Sequence, residues 1–148
     1  MKIVLQNPIL ILMIRLFLGG LFIYTSLDKI TDPQSFSRDI GNYHIIPYGL
    51  ENSMAVILPW LELLIGLALI SGCLVDGAAL VSMSLLVIFI VAIGSAILRG
   101  YNIECGCGLK EGEVVGTQKL LENTILFLLG FLILKRDKKK YEIFPNTD

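Results

Sequence analysis

Four long apolar runs, at residues 9–27, 53–71, 78–98 and 119–135, alternate with shorter polar connections along the chain. The hydrocarbon core of a bilayer is ~30 Å thick, and about 20 mostly apolar residues of helix cross it. The pattern therefore predicts an all-α fold, a four-transmembrane-helix bundle forming a single domain over residues 1–148. The third run carries no charge between Ala78 and Leu98 and shows no polar face, which a helix on the surface of a soluble bundle would need. The fourth is the shortest and draws on its flanks to complete the span. The first is read as a retained span rather than a cleaved leader. Arg15 interrupts it, and Tyr24-Thr25-Ser26-Leu27-Asp28-Lys29 offers no small-residue cleavage pattern. Pro8 suits its first turn, where a missing N–H does no harm.

The connection at 28–52 is longer than a turn between spans requires. Within it Asp32-Pro33 is a helix-start signal, Phe36, Ile40 and Tyr43 recur at helical spacing, and Gly41 and Pro47 end the run. These features predict a short amphipathic helix lying in the interface between spans one and two, roofing the outer end of the bundle. Gly19-Gly20, Gly66 and Gly94 are candidate points of close helix approach. Pro59 is expected to kink the second span and open space near Trp60 and Glu62.

Composition agrees with the pattern: 55% hydrophobic residues, 17% charged, and a mean hydropathy of +0.75. The net charge of −1 carries no information about nucleic acid and no nucleic-acid partner is assigned; the lipid bilayer is the first partner implied. Five basic residues crowd into Lys135-Arg136-Asp137-Lys138-Lys139-Lys140 directly after the fourth span, and Lys2 precedes the first. The positive-inside bias then places both termini in the cytoplasm, Cys73 at a cytoplasmic turn as a small apolar filler, and the connections at 28–52 and 99–119 outside.

Cys105 and Cys107 fall in that second outer connection, within Glu104-Cys105-Gly106-Cys107-Gly108, where disulfides persist. A bridge between residues i and i+2 closes a very small ring, strained against the preferred geometry and so easily reduced. It constrains almost no chain entropy, which disfavours a structural staple. Two thiolates with His44 fall short of the four ligands of a structural zinc site, so no metal is assigned. Unpaired, incidental cysteines are the remaining alternative. A redox pair, attacking a partner disulfide through a mixed-disulfide intermediate, accounts best for the spacing and placement together.

Charge inside the spans is the second signal. Arg15 lies about 9 Å from the cytoplasmic end of the first span and Glu62 about 14 Å along the second, taking 1.5 Å per residue. Depths within roughly 5 Å of each other are bridgeable by an arginine side chain, and an ionisable group at that depth is expected to be paired. The pair either fixes how the two spans pack or contacts a quinone head group, Glu62 donating a proton and Arg15 polarising a carbonyl. Trp60, Tyr43 and His44 complete the candidate quinone site, each with an alternative as packing or interface anchor.

Arg15, Gly19, Phe22, Ser26 and Lys29, then Phe36, Asn42-Tyr43 and Pro47, then Pro59, Glu62 and Gly66, resemble in order and spacing the pattern of the DoxX superfamily. With Cys105-Gly106-Cys107-Gly108 the chain resembles its MauE branch, over roughly residues 10–135; many relatives carry an aromatic residue where this chain has Gly108. The resemblance implies an inner-membrane protein supporting thiol redox chemistry in the periplasm beside a thioredoxin-like protein, with quinone-linked sulfur oxidation in the wider superfamily. The function expected is a thiol–disulfide oxidoreductase passing electrons between a periplasmic dithiol and ubiquinone or menaquinone through Cys105 and Cys107. A non-catalytic assembly or maturation factor, or the membrane subunit of a thiosulfate:quinone-type enzyme, is the alternative. The sequence leaves the homo-oligomeric state open.

Overall fold

The computed structural model describes residues 7–100, 116–136 and 141–143. These form five helices: α1 (Pro8–Thr31), α2 (Pro33–Asn42), α3 (Glu51–Ser71), α4 (Val75–Leu98) and α5 (Thr117–Leu134). No strand occurs among the described residues, and α1, α3, α4 and α5 are each long and apolar enough to cross a membrane. The four apolar runs thus become the four spans, and the expected roof helix is α2.

Local chemistry sets the boundaries. The Asn7 side chain accepts hydrogen bonds from the Ile9 and Leu10 amides at 3.1 and 3.4 Å, with Pro8 in the first turn. Asp32 ends α1 and starts α2, its carboxylate accepting from the Ser35 amide at 3.0 Å. Phe36 and Ile40 turn inward from α2 and Tyr43 follows, all buried. The turn between α3 and α4 is shorter than the sequence suggested, because Gly72 (φ +81°) and Leu74 (φ +51°) reverse the chain within three residues. Pro59 is fully buried within a continuous α3.

Large apolar side chains such as Phe17, Trp60, Leu64, Ile88 and Val91 point outward, more than half exposed. On a soluble domain such a surface would be an aggregation hazard; in lipid it is the expected exterior. The core lies between α1 and α3, whose Leu18, Phe22, Ile65 and Leu69 meet Val75, Ala79, Leu86 and Ile133 from α4 and α5.

The α1–α3 approach is closest at two glycines. A Cβ on Gly66 would sit 2.7 Å from the Gly19 carbonyl oxygen, and one on Gly19 would sit 2.9 Å from that of Gly66. Gly20 and Gly94, also expected to be contact glycines, face open space. Gly66→Ala is expected to cost about 1–3 kcal/mol, because the obstruction is backbone and cannot rotate away. Gly94→Ala should be neutral or stabilising by up to about 1 kcal/mol through helix propensity. Unfolding in mixed micelles followed by circular dichroism ranks the two; equal costs would remove the glycine crossing.

Candidate functional site

One face of α1 carries Arg15, Leu18, Gly19, Phe22, Ser26 and Lys29, all buried. The helical period thus points two cations inward, Arg15 seven residues from one end of the helix and Lys29 two from the other. Arg15 does not pair with Glu62, contrary to the expectation from depth. Taking Gly19 and Gly66 as the common level, Arg15 lies about 6 Å to one side and Glu62 about 6 Å to the other, at 1.5 Å per residue. The roughly 5 Å figure measured each residue from the end of its own predicted span and so missed the register of the antiparallel helices.

Glu62 is instead held by Lys29, whose Nζ donates to both carboxylate oxygens at 2.8 and 2.9 Å. Both side chains are buried, at 5% and 3% exposure, so each charge depends on the other for neutralisation. Two rings flank the ammonium, with Nζ 4.9 Å from the Phe36 centroid and 5.3 Å from that of Phe89. Lys29 therefore ties the roof helix α2, through Phe36, to α3 and α4.

Beside this pair lies a cavity of about 60 Å³. Its polar wall adds Thr25, Lys119, Glu122 and Asn123 to Lys29 and Glu62. Lys119 is buried and bonds Glu122 at 2.8 Å, while the Asn123 amide donates to the Lys119 carbonyl at 2.9 Å. Two ion pairs thus line one small void at the α2 end of the bundle. Sequence reasoning gave Lys29 no role beyond its place in the family resemblance, and gave Lys119 none. Their signal was periodicity: Lys29 continues the Arg15 face of α1, and Lys119, Asn123, Gly130 and Ile133 mark the buried face of α5.

At the opposite end Arg15 is satisfied by backbone. Its Nε donates to the Leu69 carbonyl at 3.0 Å and an Nη to the Tyr141 carbonyl at 3.1 Å. Residues 141–143 lie against the α3–α4 turn, the Ile143 amide donating to Gly72 at 3.0 Å. Arg136, expected only as an orientation charge, is buried between Asp76, Glu142 and the Ile133 carbonyl. Arg15 and Glu62 thus lie on opposite sides of the Gly19–Gly66 level, about 12 Å apart along the bundle at 1.5 Å per residue.

The remaining candidates separate. Trp60 is 55% exposed on the outward side of α3, away from the cavity wall that Glu62 joins. His44 is exposed just after α2, with φ +49° and its amide donating to the Gly41 carbonyl at 3.0 Å. Tyr43 is buried among Ile93, Ala96 and Leu120. Cys105 and Cys107 lie outside the described residues, in the connection from α4 to α5. Cys73 is a half-buried free thiol in the turn between α3 and α4.

Burial, reinforced by the charge of Asp39, pushes the Tyr43 hydroxyl up to about 12 from 10.0. A phenol with a raised folded pKa holds its proton more tightly when folded. Its stabilisation is fully present below pH 10 and is lost as pH rises toward about 12. Ultraviolet titration in detergent should contain a phenolate step near pH 12 that Tyr43→Phe removes. A titration unchanged by that substitution would contradict the burial of this ring.

The family model described as methylamine utilisation protein MauE matches residues 7–136. The chain is 30% identical over 131 residues to the methylamine utilization protein MauE of Paracoccus denitrificans, covering 86% of this chain and 69% of that protein. Its Paracoccus versutus counterpart is 35% identical over 115 residues, covering 75% and 62%. That of Methylorubrum extorquens is 31% identical over 111 residues, covering 72% and 60%. The chain thus spans 60–69% of the length of these relatives. No solved structure matches it.

Proposed function

Because this chain belongs to the MauE family of methylamine utilisation proteins, and carries two cysteines one residue apart between its third and fourth spans, we propose that it is an inner-membrane thiol–disulfide oxidoreductase. Its place in methylamine utilisation is the one its relatives are named for. The partner is a thioredoxin-like protein in the periplasm, and the lipid-soluble partner is a quinone. The observation that carries the proposal is the Cys105-Gly106-Cys107 spacing in a chain whose other conspicuous chemistry is membrane-embedded.

A thiolate of the pair attacks or is attacked across a disulfide, one sulfur stays bonded to the partner, and the second displaces it. Oxidation of two thiols to one disulfide releases two electrons and two protons. A quinone supplies the acceptor that takes up both. The residues of this chain that would hold charge and protons beside it are Lys29 and Glu62, with Lys119 and Glu122 across the same cavity. The chamber beneath α2, about 320 Å³ and almost wholly apolar, is of a size and character that fit such a molecule.

The termini are assigned to the cytoplasm and the cysteine connection to the periplasm, on the strength of the basic tail. Placement within the DoxX superfamily belongs to the same proposal, and with it the alternative of a thiosulfate-type sulfur donor. A non-catalytic assembly or maturation factor is favoured by one observation, that the relatives are named for methylamine utilisation rather than for a redox activity. It predicts docking without electron transfer.

Sidedness is tested with an impermeant thiol reagent on reduced, intact spheroplasts. Cys105 or Cys107 should be labelled and Cys73 spared. In the same cells, changing one cysteine of the pair to serine should trap a mixed disulfide with a thioredoxin-like protein, visible on a non-reducing gel. Labelling of Cys73 alone would invert the topology and remove the periplasmic partner.

A further inference from the structure

The bundle holds a second void, nearly wholly apolar and about 320 Å³, beneath the roof helix. Phe36, Ile40 and Tyr43 bound it from the α2 side, Met54 and Leu58 from α3, and α4 from Leu85 to Ala92. Its rim includes Ile88 and Val91, exposed on the outer face of α4, and Ile45, exposed in the connection after α2. The chamber therefore opens sideways, toward lipid. Its inner wall is shared: Leu85 and Phe89 line both this chamber and the 60 Å³ cavity that holds the Lys29–Glu62 and Lys119–Glu122 pairs.

We propose that the lateral chamber binds the body of a membrane quinone, and that the ion-pair cavity behind Phe89 is its water-filled proton antechamber. The assignment rests on the quinone half of the proposed function and locates it. Size separates the two roles. A chamber of about 320 Å³ falls in the roughly 300–1,000 Å³ range of small-molecule sites. The smaller cavity, at about 60 Å³, is too small for a ring but admits a few waters at roughly 10–15 Å³ each, and its walls offer polar partners for them. An apolar chamber open to lipid recognises an apolar molecule by shape and contact. The adjacent charges give that molecule a reason to carry a polar, proton-accepting ring.

Charge balance supports the pairing of voids. Reduction of a quinone to its quinol requires two electrons and two protons, and the two thiols that become one disulfide release the same number of each. Ion pairs bordering water can pass protons without leaving net charge in the membrane, because each carboxylate on the wall of this void contacts its own ammonium at 2.8 Å. A resident phospholipid acyl chain would fill the chamber equally well by contact alone. It would make no use of the shared wall.

The test is a photoreactive azido-quinone with an isoprenoid tail, applied to the full chain in lipid nanodiscs and followed by peptide mapping. Label is expected within residues 36–46 and 85–92. Ala92→Trp and Met54→Trp, which fill the chamber from two helices, should each lower labelling at least tenfold; two fillers keep the test valid if one fails to fold. The Cys105→Ser, Cys107→Ser double variant should label like the parent, because the chamber does not involve the thiols. Label that maps elsewhere, or that both fillers leave unchanged, overturns the site. Competition by phospholipid as effective as by unlabelled quinone also overturns it, in favour of a lipid seat. Dithiol-dependent quinone reduction persisting in both fillers would remove this site and leave the proposed function standing.

Discussion

Lys29→Met is expected to destabilise the bundle by about 3–5 kcal/mol, because it strands the Glu62 carboxylate in the interior. The geometry leaves that carboxylate few resources: both oxygens are taken by Lys29, and its side chain is 3% exposed. Loss of the ammonium also removes its contacts with the Phe36 and Phe89 rings, each worth about 0.5–2 kcal/mol. Because Phe36 belongs to α2, the roof should loosen first, visible as faster amide exchange between Pro33 and Asn42. Lys29→Met combined with Glu62→Leu should recover most of the loss, since an apolar pair of similar volume dispenses with both desolvation costs. Arg15→Met and Glu62→Leu should add within about 0.5 kcal/mol, as distant sites without shared partners do. Unfolding in mixed micelles measures all of these. Strong coupling of Arg15 to Glu62, with none between Lys29 and Glu62, would reverse the assignment of partners.

The course of the chain through the membrane was legible because one physical signal dominates it. Twenty apolar residues have few alternatives to a spanning helix, and each of the four runs became one. The roof helix was legible for a local reason: Asp32 and Pro33 start it, and Phe36 and Ile40 at spacing four turn its apolar face inward. The contact of Gly19 with Gly66 could be anticipated as a type but not distinguished from Gly20 and Gly94, whose faces depend on rotation about the helix axis. The partner of Glu62 was not legible from depth, because depth along a span carries no register between spans. Lys29 sits near the end of α1 and resembles a loop charge in sequence, yet the 15–18–22–26–29 face makes it interior. The fate of Arg15 required the tail: no local signal announces that the Tyr141 carbonyl folds back to meet it. Each void is closed by a helix distant in sequence from its other walls, α4 in the larger and α4 with α5 in the smaller, where pattern reasoning has nothing to count.

The thiol pair carries the central claim, and it can be read in one assay. Purified protein in nanodiscs, given a reduced dithiol donor and a soluble quinone analogue, should bleach the quinone, transferring two electrons per disulfide formed. The Cys105→Ser, Cys107→Ser variant should lose that reduction altogether while keeping the helical circular dichroism and thermal stability of the parent. Lys29–Glu62, Gly19–Gly66 and Arg136–Glu142 hold the bundle without those sulfurs. Full quinone reduction by this double variant would contradict the account and make Cys105 and Cys107 bystanders.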